Sequence, residues 1–499
     1  MGSLRFAIAK NAISNVIRGA ASAIVAIVLP HFLTHALGRD RFAGWALMLQ
    51  LAAYANYLDF GLQTAVARYL AAALERNDRD ERDRLLSSAT ALLAGAGIIA
   101  ILGLGVVAWQ FPHLFHSAPL ALTGEIRAGV VILGVSAALS FPLSAYSAAL
   151  VGMQRNEFPA LAAGGSRILG AVAVVVAVQH TQSLAWLALL IGGFNLAGGI
   201  AQYAIARNLL RDYRFRRAAL DGATIKELTK YCSTLTVWSF SMLLVSGLDV
   251  TIVGLFDFKA TGAYSLAATL IMFFTGLNSS AFSAMLAPVA VMQERKEYAR
   301  IKRLVFVTTR LGSYLSLAVV AITFLFGRRL VLMWVGPSYL AITLPVFEIL
   351  VIAQAVRLTG SAFGTMLVGM GYQRYGTIAA LVEGLSNLSL SVLGMIWLGP
   401  SGVAWATLIA AIIAMGTLIF AVIYRIAELR INRWSFISQG MLIPLVPFLP
   451  LFVWLAIRGW CIRSFSITNR IEVAPTILLC LLTVALIKRG IEGAQRLTL

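Results

Sequence analysis

Long apolar runs, separated by short polar segments, make up most of this chain. Its hydropathy pattern predicts fourteen such runs, each long enough to cross a bilayer core of about 30 Å as a helix. The predicted spans cover residues 11–37, 42–72, 85–110, 126–151, 159–178, 184–206, 231–255, 261–291, 304–326, 341–369, 376–398, 403–424, 441–458 and 473–490. Because hydrocarbon offers no partners to unpaired backbone groups, spans of this kind are expected to be helical. The pattern therefore predicts an all-α integral membrane protein.

The composition supports the same class of protein. Of the 499 residues, 60% are hydrophobic and only 12% are charged, about half the charged share of an ordinary soluble domain. The three cysteines, Cys232, Cys461 and Cys480, are scattered, so neither a disulfide framework nor a thiolate metal site is expected. The first run, 11–37, is too long for the apolar region of a signal peptide and is predicted to be a retained span.

The distribution of basic residues predicts the orientation in the membrane. Much of the net charge of +19 lies in alternate loops. These basic loops include Glu75–Arg84, Arg207–Arg217, Gln293–Arg303 and Arg425–Arg433. Lysine and arginine concentrate on the cytoplasmic side of membrane proteins, so both termini are expected to be cytoplasmic. Contact with anionic lipid is the expected role of these loops, and no nucleic-acid partner is predicted.

One phrase occurs twice along the chain. LVGMQR covers Leu150–Arg155, and LVGMGYQR covers Leu367–Arg374. Six predicted spans separate the two copies, an even number, so both copies point the same way and indicate a parallel repeat. The segments Leu37–Trp45 and Phe256–Tyr264 also align at an offset near 219. The alternative is that both phrases are ordinary helix ends made of small, apolar and then basic residues.

A duplication predicts the organisation of the chain. The expected parts are an N-terminal six-helix lobe at 1–206, a cytoplasmic linker at 207–230, a C-terminal six-helix lobe at 231–424, and a linker with two terminal helices at 425–499. Two similar bundles can rock to expose a polar site to each side in turn. No loop is long enough to hold a catalytic domain, so the prediction is a protein that is not an enzyme and needs no cofactor.

Charged residues within the spans are the candidate functional residues. They are Arg18, Asp59, Arg68, Arg167, Asp249, Glu348, Arg357 and Glu383. A charged group at membrane depth is costly and is expected to face protein or a wet cavity. Interhelical ion pairing, such as Arg18 or Arg167 with Asp59 or Glu383, is the simpler explanation. The functional hypothesis is a site for an anion, because guanidinium groups suit phosphate or diphosphate.

The functional hypothesis divides the charged residues by sign. Arg18, Arg167 and Arg357 are predicted to bind an anionic head group. Asp59, Asp249 and Glu383 are predicted to couple transport to an ion or to gate it. His31 and His35 share a helix face, but no third ligand is evident, so no metal site is predicted.

The segment Leu37–Ala71 resembles the region joining spans 1 and 2 in bacterial polysaccharide exporters of the MOP superfamily. The residues that carry the resemblance are Gly38, Gly44, Asp59, Gly61, Ala65 and Arg68, with Trp45 where tyrosine is common. The doubled LVGM phrase is similar to the ends of spans 4 and 10 in the same family. The resemblance covers essentially the whole chain, although the acidic residues beside the arginines depart from a purely cationic cleft.

The resemblance implies a Wzx-type flippase of the bacterial inner membrane. Such proteins carry undecaprenyl-diphosphate-linked oligosaccharides from the cytoplasmic to the periplasmic leaflet for surface polysaccharide biosynthesis. The implied partners are the lipid-linked oligosaccharide and membrane lipids, and other polysaccharide assembly proteins stay open as partners. In fourteen-span relatives the last two helices are associated with the lipid tail. A cation-coupled exporter of the MATE kind and a lipid II flippase are the alternatives.

Overall fold

The computed structural model describes residues 2–210, 212, 221–283, 285–462 and 473–496. Side chains are described for a smaller set that begins at Ile24. All regular secondary structure in the described part of the chain is helical, so the prediction of an all-α protein is confirmed.

The α-helices of the described ranges follow one another with short connections. In chain order they are α1 (Gly2–Ala53), α2 (Leu62–Glu75), α3 (Arg79–Leu114), α4 (Leu120–Gly152), α5 (Glu157–Ala177), α6 (Leu184–Leu209), α7 (Gly222–Met242), α8 (Asp249–Phe256), α9 (Phe258–Ser283), α10 (Leu286–Glu294), α11 (Tyr298–Val335), α12 (Leu340–Gly369), α13 (Gln373–Leu398), α14 (Pro400–Thr417), α15 (Arg433–Ile437), α16 (Ile443–Leu445), α17 (Leu449–Ile462) and α18 (Val473–Arg496). Short 3-10 turns occur at Tyr54–Asp59, Pro337–Tyr339, Ile423–Arg425, Ala427–Leu429 and Val446–Phe448, and π turns at Leu243–Gly247, Leu418–Val422 and Ser438–Leu442.

Within the described residues, nine helical segments are long and apolar enough to cross a membrane. They are Arg79–Leu114, Leu120–Gly152, Glu157–Ala177, Leu184–Leu209, Tyr298–Val335, Pro337–Gly369, Gln373–Leu398, Pro400–Arg425 and Arg433–Ile457. A bent pair, Ser239–Val245 with Asp249–Phe256, brings the number to ten when it is counted as one span. These ten coincide with ten of the fourteen predicted spans. The total of fourteen and the cytoplasmic placement of the termini stay predictions.

The helix breaks follow from local backbone chemistry. Gly38 interrupts α1 with φ 73° and ψ 173°, a conformation that glycine adopts far more readily than other residues. The second predicted span, 42–72, is broken at Phe60 and Gly61, which both have positive φ. The chain therefore changes direction near the middle of a segment that hydropathy alone predicts to be continuous.

The helix boundaries recur along the chain. Helices α3 and α11 begin at Arg79 and Tyr298, 219 residues apart. The turns that precede them repeat the same pattern, with Asn77 and Lys296 at positive φ. Four consecutive helices of the first half correspond in order to four of the second half: α3 to α11, α4 to α12, α5 to α13 and α6 to α14. The same pairs pack in both sets: the first with the second, the second with the fourth, and the third with the fourth.

The doubled LVGM phrase forms the same helix end twice. The Arg155 amide donates to the Leu150 carbonyl, and the Gln154 amide donates to the Val151 carbonyl. At the second copy, the Tyr372 amide donates to the Leu367 carbonyl and the Gly371 amide donates to the Val368 carbonyl. Each pair of bonds is a Schellman motif, whose C′ residue takes a left-handed conformation. Gln154 and Gly371 both have positive φ.

The glycine of each phrase permits a close helix contact. A Cβ at Gly152 would lie 2.8 Å from the Ala67 carbonyl oxygen, and one at Gly369 would lie 3.1 Å from the Leu286 carbonyl oxygen. Ala67 and Leu286 are themselves 219 residues apart, on α2 and α10. These recurrences support the hypothesis of duplication, which the two short phrases suggested only weakly.

The described chain divides into two compact units, Met1–Thr269 and Leu270–Leu499. In the first unit the main helix pairings join α3 with α4, α4 with α6, and α5 with α6. In the second unit they join α13 with α14, α11 with α12, and α12 with α14. The lobe boundaries expected at 206 and 231 stay a prediction.

Candidate functional site

The second unit contains an ion pair at membrane depth. Nε of Arg357 on α12 donates to Oε1 of Glu383 on α13. The two helices form a hairpin, and each residue lies about 15–20 Å along its helix from the connecting turn, so the side chains meet at the same depth. Only 17% of the Arg357 side chain and 11% of the Glu383 side chain are exposed. The guanidinium and the carboxylate thus neutralise each other. Either charge alone would be costly to bury at this depth in the membrane.

A stripe of polar residues extends the ion pair along α13. Glu383, Asn387 and Ser391 lie four residues apart and are all buried, so they share one face of the helix. The Ser391 hydroxyl donates to Oδ1 of Asn387 across 3.4 Å. We call Arg357, Glu383, Asn387 and Ser391 the arginine–glutamate centre. Its oxygens can hold a cation or a proton, and its guanidinium can bind an anion.

The first unit contains a second polar cluster, at the break between α7 and α8. The π turn Leu243–Gly247 separates these helices, and the axis bends by 45°. The Gly247 carbonyl accepts hydrogen bonds from Nε2 of Gln50 at 2.7 Å and from the Tyr54 hydroxyl at 2.8 Å. Gln50 lies in the last turn of α1, and Tyr54 begins the 3-10 turn that follows it. The two bonds satisfy a carbonyl oxygen that the broken helix leaves without its regular partner.

Asp249 lies directly after this break and is buried. The Tyr264 hydroxyl donates to its Oδ2 across 3.4 Å, and the Thr251 hydroxyl forms a short hydrogen bond with the Tyr54 hydroxyl. We call Gln50, Tyr54, Asp249, Thr251 and Tyr264 the tyrosine–aspartate centre. It places a carboxylate within an apolar helix bundle, where the Tyr264 hydroxyl bonds to it.

Asp59 has a local structural role in addition to its predicted one. Its Oδ1 accepts from the Gly61 amide at 2.9 Å, and its Oδ2 accepts from Nε2 of Gln63 at 3.1 Å. These bonds connect Asp59 across Phe60 and Gly61, the two residues with positive φ, to the first turn of α2. Asp59 also lines a cavity of about 430 Å³, together with Phe60, Ile99 and Cys232. The residue therefore stabilises the break and faces a largely apolar space.

Two further predicted site residues, Arg167 and Arg18, belong to neither centre. Arg167 is exposed on α5, and the side chain of Arg18 lies outside the described residues. Among the predicted site residues whose side chains the structure describes, Arg357 and Glu383 form an ion pair with each other. The pairs proposed from sequence joined Arg18 or Arg167 to acidic partners, so the pairing of Arg357 with Glu383 is new.

Sequence reasoning also missed uncharged members of both centres. Gln50 and Tyr54 are spaced by four residues within an apolar span, as are Glu383 and Asn387. Polar residues at helical spacing in such a span indicate one polar face. That spacing could have identified them. Among the described side chains, no group of three or more His, Cys, Asp or Glu residues is arranged to hold a metal ion.

These features define a class of protein: a multi-pass helical membrane protein with ionisable groups held inside its helix bundles, the arrangement typical of transporters. Comparison with known proteins then identifies the family. The family described as polysaccharide biosynthesis protein matches residues 8–293, more than half of the chain. The chain belongs to this family, which confirms the predicted resemblance to polysaccharide exporters.

Two curated relatives support the assignment. The chain is 23% identical over 354 residues to "Putative O-antigen transporter" of Shigella flexneri, across 69% of this chain and 81% of the relative. It is also 23% identical over 402 residues to "Uncharacterized membrane protein EpsK" of Bacillus subtilis (strain 168), across 79% of this chain and 78% of the relative. The chain is thus related to a protein named as an O-antigen transporter and to a membrane protein.

Solved structures show the same fold. The inward closed lipid II flippase MurJ superimposes with a TM-score of 0.69 and 16% identity, across 96% of this chain and 99% of that protein. An inward-facing multidrug resistance transporter of the MATE family and the MOP superfamily superimposes with a TM-score of 0.66 and 14% identity, across 83% of this chain and 98% of that protein. The protein therefore has a MurJ- and MATE-like fold. The findings support a membrane flippase or exporter.

Proposed function

We propose that the protein is a flippase for undecaprenyl-diphosphate-linked oligosaccharide. It moves the head group from the cytoplasmic to the periplasmic leaflet by alternating access, for O-antigen, capsule or exopolysaccharide biosynthesis. The observation that carries the proposal is the arginine–glutamate centre, a guanidinium at membrane depth in a chain of this family. The inner membrane of a bacterium is the expected location.

The proposed mechanism is a competition for Arg357. In the resting state Glu383 neutralises the guanidinium, so no unpaired charge is buried. An arriving diphosphate offers several oxygens in the geometry that an arginine fork prefers. It displaces Glu383, which can then take up a proton or a cation and return it when the head group leaves. Binding and ion coupling therefore share one pair of residues, and the step makes and breaks no covalent bond.

Other predicted residues have supporting parts in the proposal. Arg18 and Arg167 are proposed as further head-group contacts. Asp59 and Asp249 are proposed to gate, since each lies at a helix break where a small change in backbone geometry alters the course of a span.

The test is reconstitution of the purified full-length protein in vesicles with a fluorescent lipid-linked oligosaccharide. A membrane-impermeant quencher added outside reports which leaflet holds the label. The expected result is protein-dependent exchange between leaflets for the wild type and little exchange for Arg357→Ala. Equal exchange for the two proteins, at equal incorporation, would remove Arg357 from the mechanism.

A lipid II flippase is the second candidate. The observation in its favour is the superposition on MurJ across 96% of this chain, against 83% for the MATE transporter. The same assay decides between the two substrates: faster exchange of labelled lipid II than of the oligosaccharide-linked lipid would favour it. Export of small cationic drugs without exchange of either lipid would favour the MATE-like alternative.

A further inference from the structure

A groove on the surface of the first unit is lined by residues that belong to neither centre. It runs between the end of α3 and the start of α4 and has a volume of about 430 Å³. Its lining includes Gly105, Trp109, Gly124, Arg127 and Val131. Residues 111–125, which comprise the end of α3, the connecting turn and the start of α4, contain no lysine or arginine. The positive-inside rule therefore places this end on the outer side of the membrane.

The Arg127 side chain is held in a fixed position by a proline on the neighbouring helix. Pro112 lies inside α3 and has no N–H, so the Ala108 carbonyl four residues earlier lacks its helical partner. Nε of Arg127 donates to that carbonyl at 2.8 Å. Within the described part of the chain, no protein partner is found for Nη1 and Nη2 of Arg127. One edge of the guanidinium is thus anchored, and the other can bind a ligand.

The surroundings indicate what kind of ligand reaches this group. Trp109 is 67% exposed and Val131 is 42% exposed, on helices whose other exposed residues include Leu102 and Val106. In a membrane protein such a face contacts lipid. Arg127 lies about 10 Å from the start of α4, a depth at which arginine and tryptophan meet head groups. The ligands available there are the lipids of the outer leaflet.

Two glycines in the lining leave open space in the groove. A Cβ at Gly105 or at Gly124 would meet no heavy atom within 4 Å. The space therefore admits a head group and the start of its chain, which rest against the Trp109 ring while the phosphate oxygens accept hydrogen bonds from the free guanidinium edge.

We propose that this groove binds an anionic phospholipid of the outer leaflet, with Arg127 on its phosphate. Three features support the binding of one lipid rather than diffuse attraction: an anchored guanidinium, a tryptophan beside it, and open space at two glycines. The proposal concerns a resident membrane lipid and holds whether or not the protein is a flippase.

Native mass spectrometry of the full-length protein in detergent tests the proposal, with titrated phosphatidylglycerol and phosphatidylcholine of the same chain length. Wild type is expected to retain phosphatidylglycerol preferentially. Arg127→Gln should weaken that binding about tenfold, which corresponds to about 1.4 kcal/mol. The matched control is Arg39→Gln, which removes an exposed arginine from the same predicted side and should leave binding unchanged. Equal losses in both variants would mean that net charge alone attracts the lipid, and would overturn the proposal.

Two test variants and one control, none of which changes the net charge, separate the site from general electrostatics. Gly124→Leu fills the groove and keeps Arg127, whereas Gly193→Leu adds the same side chain at another open helical position. Pro112→Ala restores an amide that competes with Arg127 for the Ala108 carbonyl. Gly124→Leu and Pro112→Ala should each lower phosphatidylglycerol retention, and Gly193→Leu should not. Unchanged retention in both, or equal binding of phosphatidylcholine by the wild type, would refute the site.

Discussion

At the scale of single residues, Arg357 and Glu383 differ in what each can do when its partner is removed. Glu383 can take up a proton and become neutral, whereas an arginine stays charged at any accessible pH. Both side chains are largely buried between the same two helices. Replacement of Arg357 by alanine and replacement of Glu383 by alanine are therefore expected to have different consequences. The same two replacements in an exposed ion pair at the surface would not differ in this way.

We predict that Arg357→Ala abolishes export but leaves the amount of protein in the membrane normal. The substitution removes the guanidinium that is proposed to bind the head group, and the carboxyl group left behind can become neutral, so the fold is expected to survive. Complementation of a strain that lacks this transporter measures export, and immunoblotting of membranes measures abundance. Normal export with full-length protein present would contradict the role of Arg357.

Glu383→Ala should instead reduce stability. It removes the carboxylate that neutralises a permanently charged guanidinium, a change that typically costs about 3–5 kcal/mol in a buried pair. The double variant Arg357→Ala with Glu383→Ala should be more stable than Glu383→Ala alone. Thermal unfolding followed by size-exclusion chromatography gives the order of stability. A double variant less stable than both single variants would exclude this coupling.

At the scale of single elements, glycine contacts decide how closely helices approach. Gly394 on α13 and Gly402 on α14 meet backbone to backbone, and a Cβ on either would overlap the main chain of the other. Small residues at such positions allow membrane helices to pack closely. The sequence contains 42 glycines, and the pattern alone does not indicate which of them form such contacts.

Replacement of Gly402 should therefore be disruptive. Gly402→Ala forces α13 and α14 apart, and overpacking of this kind costs about 1–3 kcal/mol or more. Gly416→Ala is the matched control on α14, because a Cβ there meets nothing within 4 Å. Thermal stability in detergent should fall for the first variant and stay unchanged for the second. Equal stability of the two would show that the helices can separate without cost.

The start of α7 is expected to depend on pH. Asp221 caps this helix, and its hydrogen bonds from the Thr224 hydroxyl and from the Thr224 and Ala223 amides lower its pKa. A lowered pKa means that the cap is present above the usual aspartate value of about 3.9 and is lost as the pH falls through the lowered value. In acid, the first-turn amides should exchange hydrogen faster than at neutral pH after correction for intrinsic rates.

Asp221→Asn provides the control for the cap of α7. Asparagine can cap a helix but does not titrate, so the corrected exchange rates of this variant should not change with pH over the same range. An identical acid response in the variant and the wild type would assign the effect to another group.

At the scale of the whole molecule, the repeat and the basic loops together predict sidedness. The turns at Asn77 and Lys296 occupy equivalent places, 219 residues apart, and both adopt the same helix-end geometry. In a parallel repeat, equivalent turns lie on the same side of the membrane. The basic segments that contain them assign that side to the cytoplasm.

Cysteine labelling tests this arrangement. In a variant that lacks Cys232, Cys461 and Cys480, single cysteines at Asn77 and Lys296 should react with an impermeant reagent only in inverted membrane vesicles. Cysteines at His116 and Ser338, in exposed turns at the opposite helix ends, should react in intact spheroplasts. Opposite accessibility of Asn77 and Lys296 would rule out a parallel repeat.

The sequence by itself determined the class of the protein and much of its plan. Apolar length and basic loops are properties of local segments and report directly on insertion into a bilayer. The doubled phrase is also local and indicates a repeat. The helical fold and the family were therefore predictable, as were ten spans. The two charged residues that pair within the second unit were also predicted as site residues, because a charge at membrane depth is rare and costly.

Only the tertiary structure decided which groups meet. Arg357 pairs with Glu383, and Gln50 with Tyr54 reaches the Gly247 carbonyl. These contacts join helices whose rotation about their own axes depends on packing with neighbours, which hydropathy does not encode. The break at Phe60 and Gly61 was hidden because the overall hydropathy stays high across residues 42–72.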